Sequence, residues 1–222
     1  MTGRRAFIAS GAAVATLCLT RPGKAIAASA LDSWRAGVNY RLLENPQPPT
    51  AAAGKVEVCE VFWYGCAHCY ALEPVLEEWN RSKSPYIEFV RVPVVWGPQH
   101  RQHAKLYYTL LALKRPDLHS KVFDAIHKEG MPLSGHDEVT ARAAQLAFLK
   151  RQDVTDQQFD AAYDSMTVAM QVQRAEQYTR TFRVDNVPQL FVNGKYATSV
   201  GEAGGDARLI LLLESIAESE KR

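Results

Sequence analysis

The sequence predicts an α/β fold in which a β-sheet domain, assembled from both ends of the chain, is interrupted by an all-helical block. Three observations carry this expectation. A strand–helix–strand run occupies residues 55–94, residues 100–182 read almost wholly as helix, and strand character returns at 189–200 around Asn193-Gly194. Apolar residues make up 47% and charged residues 23% of the chain, enough for a packed core and too apolar for wholesale disorder.

The first 27 residues read as an export signal. Arg4 and Arg5 form a positive start, residues 6–19 are apolar and uncharged, and Ala25-Ile26-Ala27 offers a small-residue cleavage pattern. The apolar run is too short to span a bilayer comfortably. Arg4-Arg5-Ala6-Phe7-Ile8 is similar to a twin-arginine signal, but Gly3 stands where that pattern has Ser or Thr, so general secretory and twin-arginine export both stand. Leu17 before Cys18 is too large for a lipoprotein cleavage site. Removing the segment takes away Arg4, Arg5, Arg21 and Lys24 and no acid, so the formal charge passes from +2 to −2. The basic character belongs to the signal, and the mature chain carries no nucleic-acid footprint.

The elements follow in order. Residues 37–43 read as a short strand, broken by the proline-rich loop 45–49. Residues 55–63 are β-branched and aromatic, hence a strand. A helix is expected from Cys66 to about Asn80, with Leu72, Val75, Leu76 and Trp79 on one face and a kink at Pro74. Residues 87–94 form the next strand, giving a βαβ unit with a parallel pair. The helical block then runs through 103–115, 118–128, 137–149 with Asp137 as cap, 157–166 opened by Thr155, and 168–182. Strands at 189–192 and 196–200 flank the Asn-Gly hairpin signal, and Asp206 is expected to cap a last helix. The division is therefore 1–27 signal, 28–98 with 183–222 sheet domain, and 99–182 inserted helical domain.

Three cysteines remain after the signal, Cys59, Cys66 and Cys69, too few for a disulfide scaffold and odd in number. The chemistry centres on Cys66-Ala67-His68-Cys69 at a strand-to-helix junction. A helix beginning at Cys66 puts that sulfur at the positive end of the helix dipole, beside unpaired N–H groups, where a thiolate is favoured. Cys69 lies one turn on and on the same face, able to close a disulfide or resolve a mixed one. His68 adds a donor or a positive charge. If the Cys66 pKa fell to about 4, the reduced form would gain on the order of 4 kcal/mol at pH 7, roughly 90 mV. Zinc would need four ligands, for which only His100 and His103 stand available on paper. A passive disulfide of this spacing closes too small a loop to stabilise much. Redox chemistry is the preferred reading, and it needs no metal.

Other residues are weighed against it. Val187-Pro188 leads a strand, either as an ordinary edge proline or as a cis bond. Glu60, an acid in an apolar strand, is either an outward-facing charge or a proton acceptor and tuner for Cys69. Glu73 reads as a solvated charge with some tuning effect. Cys59 faces away from Glu60 and reads as a small buried hydrophobe. His119, His127 and His136 read as surface or packing residues, and Asn80-Arg81-Ser82 is a glycosylation sequon of little weight.

Together these residues resemble the DsbA family of periplasmic disulfide oxidases, of thioredoxin-like fold with an inserted helical domain. An export signal, Phe62-Trp63-Tyr64-Gly65 before Cys66-Ala67-His68-Cys69-Tyr70, a mid-chain helical block and Val187-Pro188 match in order. The resemblance implies Cys66 as exposed nucleophile, Cys69 as buried resolving cysteine and His68 as stabiliser of the thiolate. It implies that Val187-Pro188 is cis and aligns an extended substrate, and that Glu60 and Glu73 influence the pair. It further implies no cofactor beyond the pair, reduced exported proteins as substrates, and a DsbB-type membrane partner as reoxidant. Ala67 departs from the family, which usually has Pro there; oxidising strength is the property this touches. The rivals are a reductase or isomerase on the same fold, and a redox-inert peptide-binding chaperone.

Overall fold

A computed structural model of the chain describes residues 31–221. The export signal expected at 1–27, with Arg4, Arg5 and Cys18, lies outside the described residues. The sheet has five strands: β1 (Arg41–Leu42), β2 (Val56–Phe62), β3 (Ile87–Pro93), β4 (Gln189–Val192) and β5 (Tyr196–Thr198), in the order β1-β5-β4-β2-β3. β2 and β3 are parallel, with Glu60 opposite Arg91, while β4 pairs antiparallel with β2 and with β5. Every residue of β2 is buried, its two glutamates Glu57 and Glu60 included. The first expected strand shrinks to two residues at the sheet edge, antiparallel to β5.

Alternation along β2 sorts its side chains between two layers. Val56 and Val58 face α1 (Ala67–Ser82) and α8 (Asp206–Glu220), packing with Leu72, Leu76, Leu209, Leu212 and Ile216. Cys59 and Val61 face the other way, toward Phe191, Tyr178 and Phe182. Full burial of each such Leu or Ile contributes about 1.5–3 kcal/mol. α1 runs unbroken through Pro74.

The helical block comprises α2 (Pro98–Ala112), a 3-10 turn at Pro116–Leu118, α3 (His119–His127), α4 (Glu138–Lys150), α5 (Asp156–Tyr163) and α6 (Met166–Thr181). α2 starts five residues before the expected His103 because Pro98 sits at its first turn, where a missing N–H costs nothing. Asp137 and Thr155 cap α4 and α5 through capping boxes. α5 stops at Tyr163, short of the expected 166, because Ser165 caps α6 by accepting from the Val168 N–H. The core of the block holds Leu106, Leu110, Phe123, Phe148 and Phe159, and it extends to Phe62, Tyr64 and Cys69.

At the C-terminal end, Asn193 (φ 51°) and Gly194 (φ 62°) make the tight turn between β4 and β5. A side chain at Gly194 would also strike the Gln47 carbonyl. The expected strand 196–200 ends at Thr198 because Ser199 caps a short helix, α7 (Val200–Ala203). Asp206 does not cap the last helix. Gly205 holds that position with φ 118°, and Asp206 stands in the first turn, where its charge favours the dipole.

Candidate active site

The site begins with the end of β2. Trp63, Tyr64 and Gly65 turn the chain, and the Cys66 N–H donates to the Trp63 carbonyl at 3.0 Å. A Cβ at Gly65 would overlap the Trp63 indole, so the turn requires glycine. Cys66 is the N-cap of α1 in an extended conformation, φ −91° and ψ 117°, with no carboxylate in the first turn to oppose a thiolate. Its sulfur therefore meets open first-turn amides.

The two cysteines are unequal. Cys66 is half-buried, whereas Cys69 is inaccessible. Bonds from the Cys69 thiol and from the backbone N–H groups of Cys69 and His68, with the nearby His68 charge, bring the Cys66 pKa down to about 6. Burial pushes the Cys69 thiol far up, reinforced by its bond to Cys66 and by Glu60. The pair thus holds one ready nucleophile and one thiol that ionises only with help. The downward direction is the one expected of a sulfur at the head of a helix. His68 is exposed at the rim.

The Cys66 thiol donates to the Val187 carbonyl at 3.4 Å, and the Val187–Pro188 peptide is cis. Val187 and Pro188 line a groove of about 320 Å³ together with His68, Leu72, Val200 and Gly201. The groove adjoins the Cys66 sulfur through Val187, whose carbonyl accepts from it, and has apolar walls beside the cis peptide.

Beneath Cys69 lies a buried charge cluster. Glu60 points under α1 with 1% of its surface exposed, so the outward-facing alternative is overturned. Glu73 is 3% exposed and not the solvated charge expected, because α3 and β3 pack over it. Arg91 holds both acids: its Nε donates to Glu60 at 3.0 Å and its Nη2 to Glu73 at 3.1 Å and Glu77 at 2.8 Å. One guanidinium shared with the partly exposed Glu77 cannot fully compensate two carboxylates, Glu60 and Glu73, held away from water. Burial accordingly pushes Glu60 and Glu73 up to about 7 in spite of Arg91, so the cluster retains a proton near neutrality.

Sequence reasoning missed Arg91, Glu77, Tyr64 and two histidines. The signal for Arg91 was present: it and Glu60 are each a charge inside an apolar strand. His119 is buried, its Nδ1 2.7 Å from the Tyr64 hydroxyl. Burial keeps it neutral, so its 3.4 Å approach to Glu73 is not an ion pair. His127 donates through Nε2 to the Tyr64 carbonyl at 2.8 Å. His136 is exposed beside Asp137. His103 is tied to the Pro132 carbonyl and His100 lies between Trp63 and Trp96, and no group of three or more potential metal ligands occurs among the described residues. Cys59 is buried against Tyr178, with burial pushing its thiol up, as a packing residue should be.

No protein-family model matches the chain. The sequence is 34% identical over 195 residues to the thiol:disulfide interchange protein DsbA of Pseudomonas aeruginosa, an alignment covering 87% of this chain and 89% of that protein. It is 40% identical over 162 residues to the Bordetella parapertussis protein of the same name, covering 73% and 75%. The crystal structure of Pseudomonas aeruginosa DsbA matches with a TM-score of 0.78 at 34% identity, covering 85% of this chain and 95% of that chain. A half-exposed thiol primed by helix amides, a buried partner one turn away and this identity over most of the length lead to one conclusion: the chain belongs to the DsbA family of thiol:disulfide oxidoreductases.

Proposed function

We propose that the protein works as an oxidase, passing the Cys66–Cys69 disulfide to reduced polypeptides outside the cytoplasm. The unequal burial and ionisation of the two cysteines carries this reading. A substrate thiolate attacks Cys66 Sγ, the Cys66–Cys69 bond breaks, and Cys69 leaves, taking a proton from the Glu60–Glu73 cluster. A second substrate thiolate then attacks the substrate sulfur of the mixed disulfide, and Cys66 departs as a thiolate stabilised by His68 and the helix amides. Two electrons have moved from the substrate to the pair.

In this scheme Val187 and Pro188 align the substrate strand, Glu60 and Glu73 tune the pair, and Ala67 sets the loop. No bound cofactor takes part. A DsbB-type membrane protein removes the two electrons. The substrates are exported proteins, and residues 1–27 carry the chain to the periplasm by a general secretory or twin-arginine route. Residues 28–98 with 183–222 form the thioredoxin-like domain and 99–182 the helical domain, a division supported by the all-helical run from α2 to α6 between β3 and β4. The test is oxidative refolding of a reduced, disulfide-containing protein by the oxidised chain. Stoichiometric oxidation supports the oxidase. Disulfide reduction or reshuffling without net oxidation points to a reductase or isomerase. Peptide binding that survives Cys66→Ser with no thiol chemistry in the unmodified protein points to a chaperone.

A further inference from the structure

Tyr64 stands two residues before Cys66, is wholly buried, and is held at both ends by one helix. Its hydroxyl meets Nδ1 of His119 at 2.7 Å and its carbonyl accepts from Nε2 of His127 at 2.8 Å. These histidines are the first and last residues of α3. The same helix also grips the first turn of α1. The His127 ring stacks on Tyr70 with centroids 4.7 Å apart and planes 3° from parallel, and the Tyr70 hydroxyl donates to Asp124 at 2.8 Å.

The placement matters because the 63–66 turn aims the Cys66 sulfur. The turn has one internal tie, from the Cys66 N–H to the Trp63 carbonyl. Its middle residue has no other anchor on the sheet side among the bonds described, and α3 supplies both of the polar ones it has. The sulfur draws on the His68 and Cys69 amides, and those bonds depend steeply on where the turn places it. One buried and one part-buried polar contact to a single residue are also costly to leave unmade, which favours a single arrangement.

We propose that His119 and His127 are positioning residues for the exchange reaction, holding Tyr64 by its hydroxyl and its carbonyl so that the helical block keeps the Cys66 sulfur against the first-turn amides of α1. Neither histidine touches the reacting sulfurs; both act through Tyr64. The inference rests on the reading of Cys66 as the exchanging thiol.

The experiment is a pH titration of the Cys66 thiolate absorbance near 240 nm in the reduced full chain, with three variants. His127→Phe keeps a ring to stack on Tyr70 and removes the donor. His127→Gln keeps a donor and removes the ring. Tyr64→Phe removes only the hydroxyl bound to His119. The unmodified protein should titrate near 6. His127→Phe should raise the midpoint by about one pH unit, a tenfold loss of thiolate on the acid side. Tyr64→Phe should raise it by about half as much, and His127→Gln should return it to within a few tenths of the unmodified value. Folded His127→Phe and Tyr64→Phe variants with an unmoved midpoint overturn the proposal, even where their melting temperatures fall. An unmodified protein with no thiol titrating below the ordinary range overturns the exchange reading itself, a separate outcome.

Discussion

The Cys66 thiol donates to the Val187 carbonyl across 3.4 Å, so the residue that opens α1 touches the residue that leads β4. Sulfur and backbone acceptor thus lie side by side, next to the groove that Val187 lines, while Cys69 is sealed below. A substrate that has formed a mixed disulfide at Cys66 is released only through Cys69 or a second thiol. We expect Cys69→Ala to accumulate mixed disulfides with disulfide-bonded polypeptides, the Cys66 thiolate attacking one substrate sulfur and releasing the other as a thiol, nearly all at Cys66, and Cys66→Ala to form almost none. Non-reducing gels and peptide mass mapping decide this; adducts forming equally on both variants would contradict the assignment.

The depressed Cys66 pKa makes a redox prediction with a definite sign. A thiol that titrates near 6 when folded and 9.0 when unfolded stabilises the reduced protein fully above pH 9, progressively less from 9 down to 6, and not at all below 6. At pH 7 this is about 1.4 kcal/mol before screening. The sulfur is only half-buried, so solvent trims it to on the order of 1 kcal/mol, about 20 mV. The reduced protein should therefore gain stability over the oxidised one as pH rises from 6 to 8, measured by denaturant unfolding of each form. A difference that shrinks over that range would contradict the thiolate account.

Arg91 is the keystone of the charge cluster, and its removal should be felt mostly at high pH. Glu60 and Glu73 titrate near 7 in the fold against 4.5 unfolded, so the native state binds more protons between those values and stability falls as pH rises through them. Arg91→Met should cost about 3–5 kcal/mol at pH 8, where carboxylates are left charged and unpaired, and clearly less at pH 5. Urea unfolding at the two pH values checks this. An equal loss at both would place the effect in packing.

Glu60→Gln removes an ionisable oxygen without removing volume. The fall in stability between pH 4.5 and 7 should flatten, and the step in which Cys69 leaves should slow by about a hundredfold, the usual worth of a general acid. Stopped-flow fluorescence of the exchange reaction measures the rate. A mutant as fast as the unmodified chain would exclude Glu60 from the proton's path.

Ala67 is the first residue of α1, a position that accepts proline without loss of a helix bond. The amides bonded to the Cys66 sulfur belong to His68 and Cys69. Ala67→Pro should therefore leave folding intact and move the Cys66 titration less than His68→Ala, which removes the favourable charge and should raise the midpoint. A larger shift for Ala67→Pro would show that loop geometry, and not the histidine charge, sets the thiolate.

Much of the fold was legible because its signals are local. β2 and β3 are rich in β-branched and aromatic residues, Asn193-Gly194 demands its turn, and Asp137 and Thr155 announce their helices. The cysteine pair was legible because its chemistry follows from its place at the head of a helix. What escaped depends on which distant elements meet. Glu73 looks solvated until β3 delivers Arg91 and α3 delivers Ser120, whose hydroxyl donates to it at 3.2 Å. His119 and His127 look like ordinary helix residues until α3 is laid against the turn before Cys66. Gly205 took the cap from Asp206 because only a residue free to adopt φ 118° fits between α7 and α8.

The account rests on Cys66 and Cys69 forming a disulfide that prefers to be given away. Its most direct test is the equilibrium of the pair across a glutathione redox series at pH 7, read by thiol trapping. We expect a single two-electron transition, lost in Cys66→Ser, at a potential above that of the glutathione couple. A strongly reducing potential would contradict the oxidase, and no transition at all would contradict the redox pair.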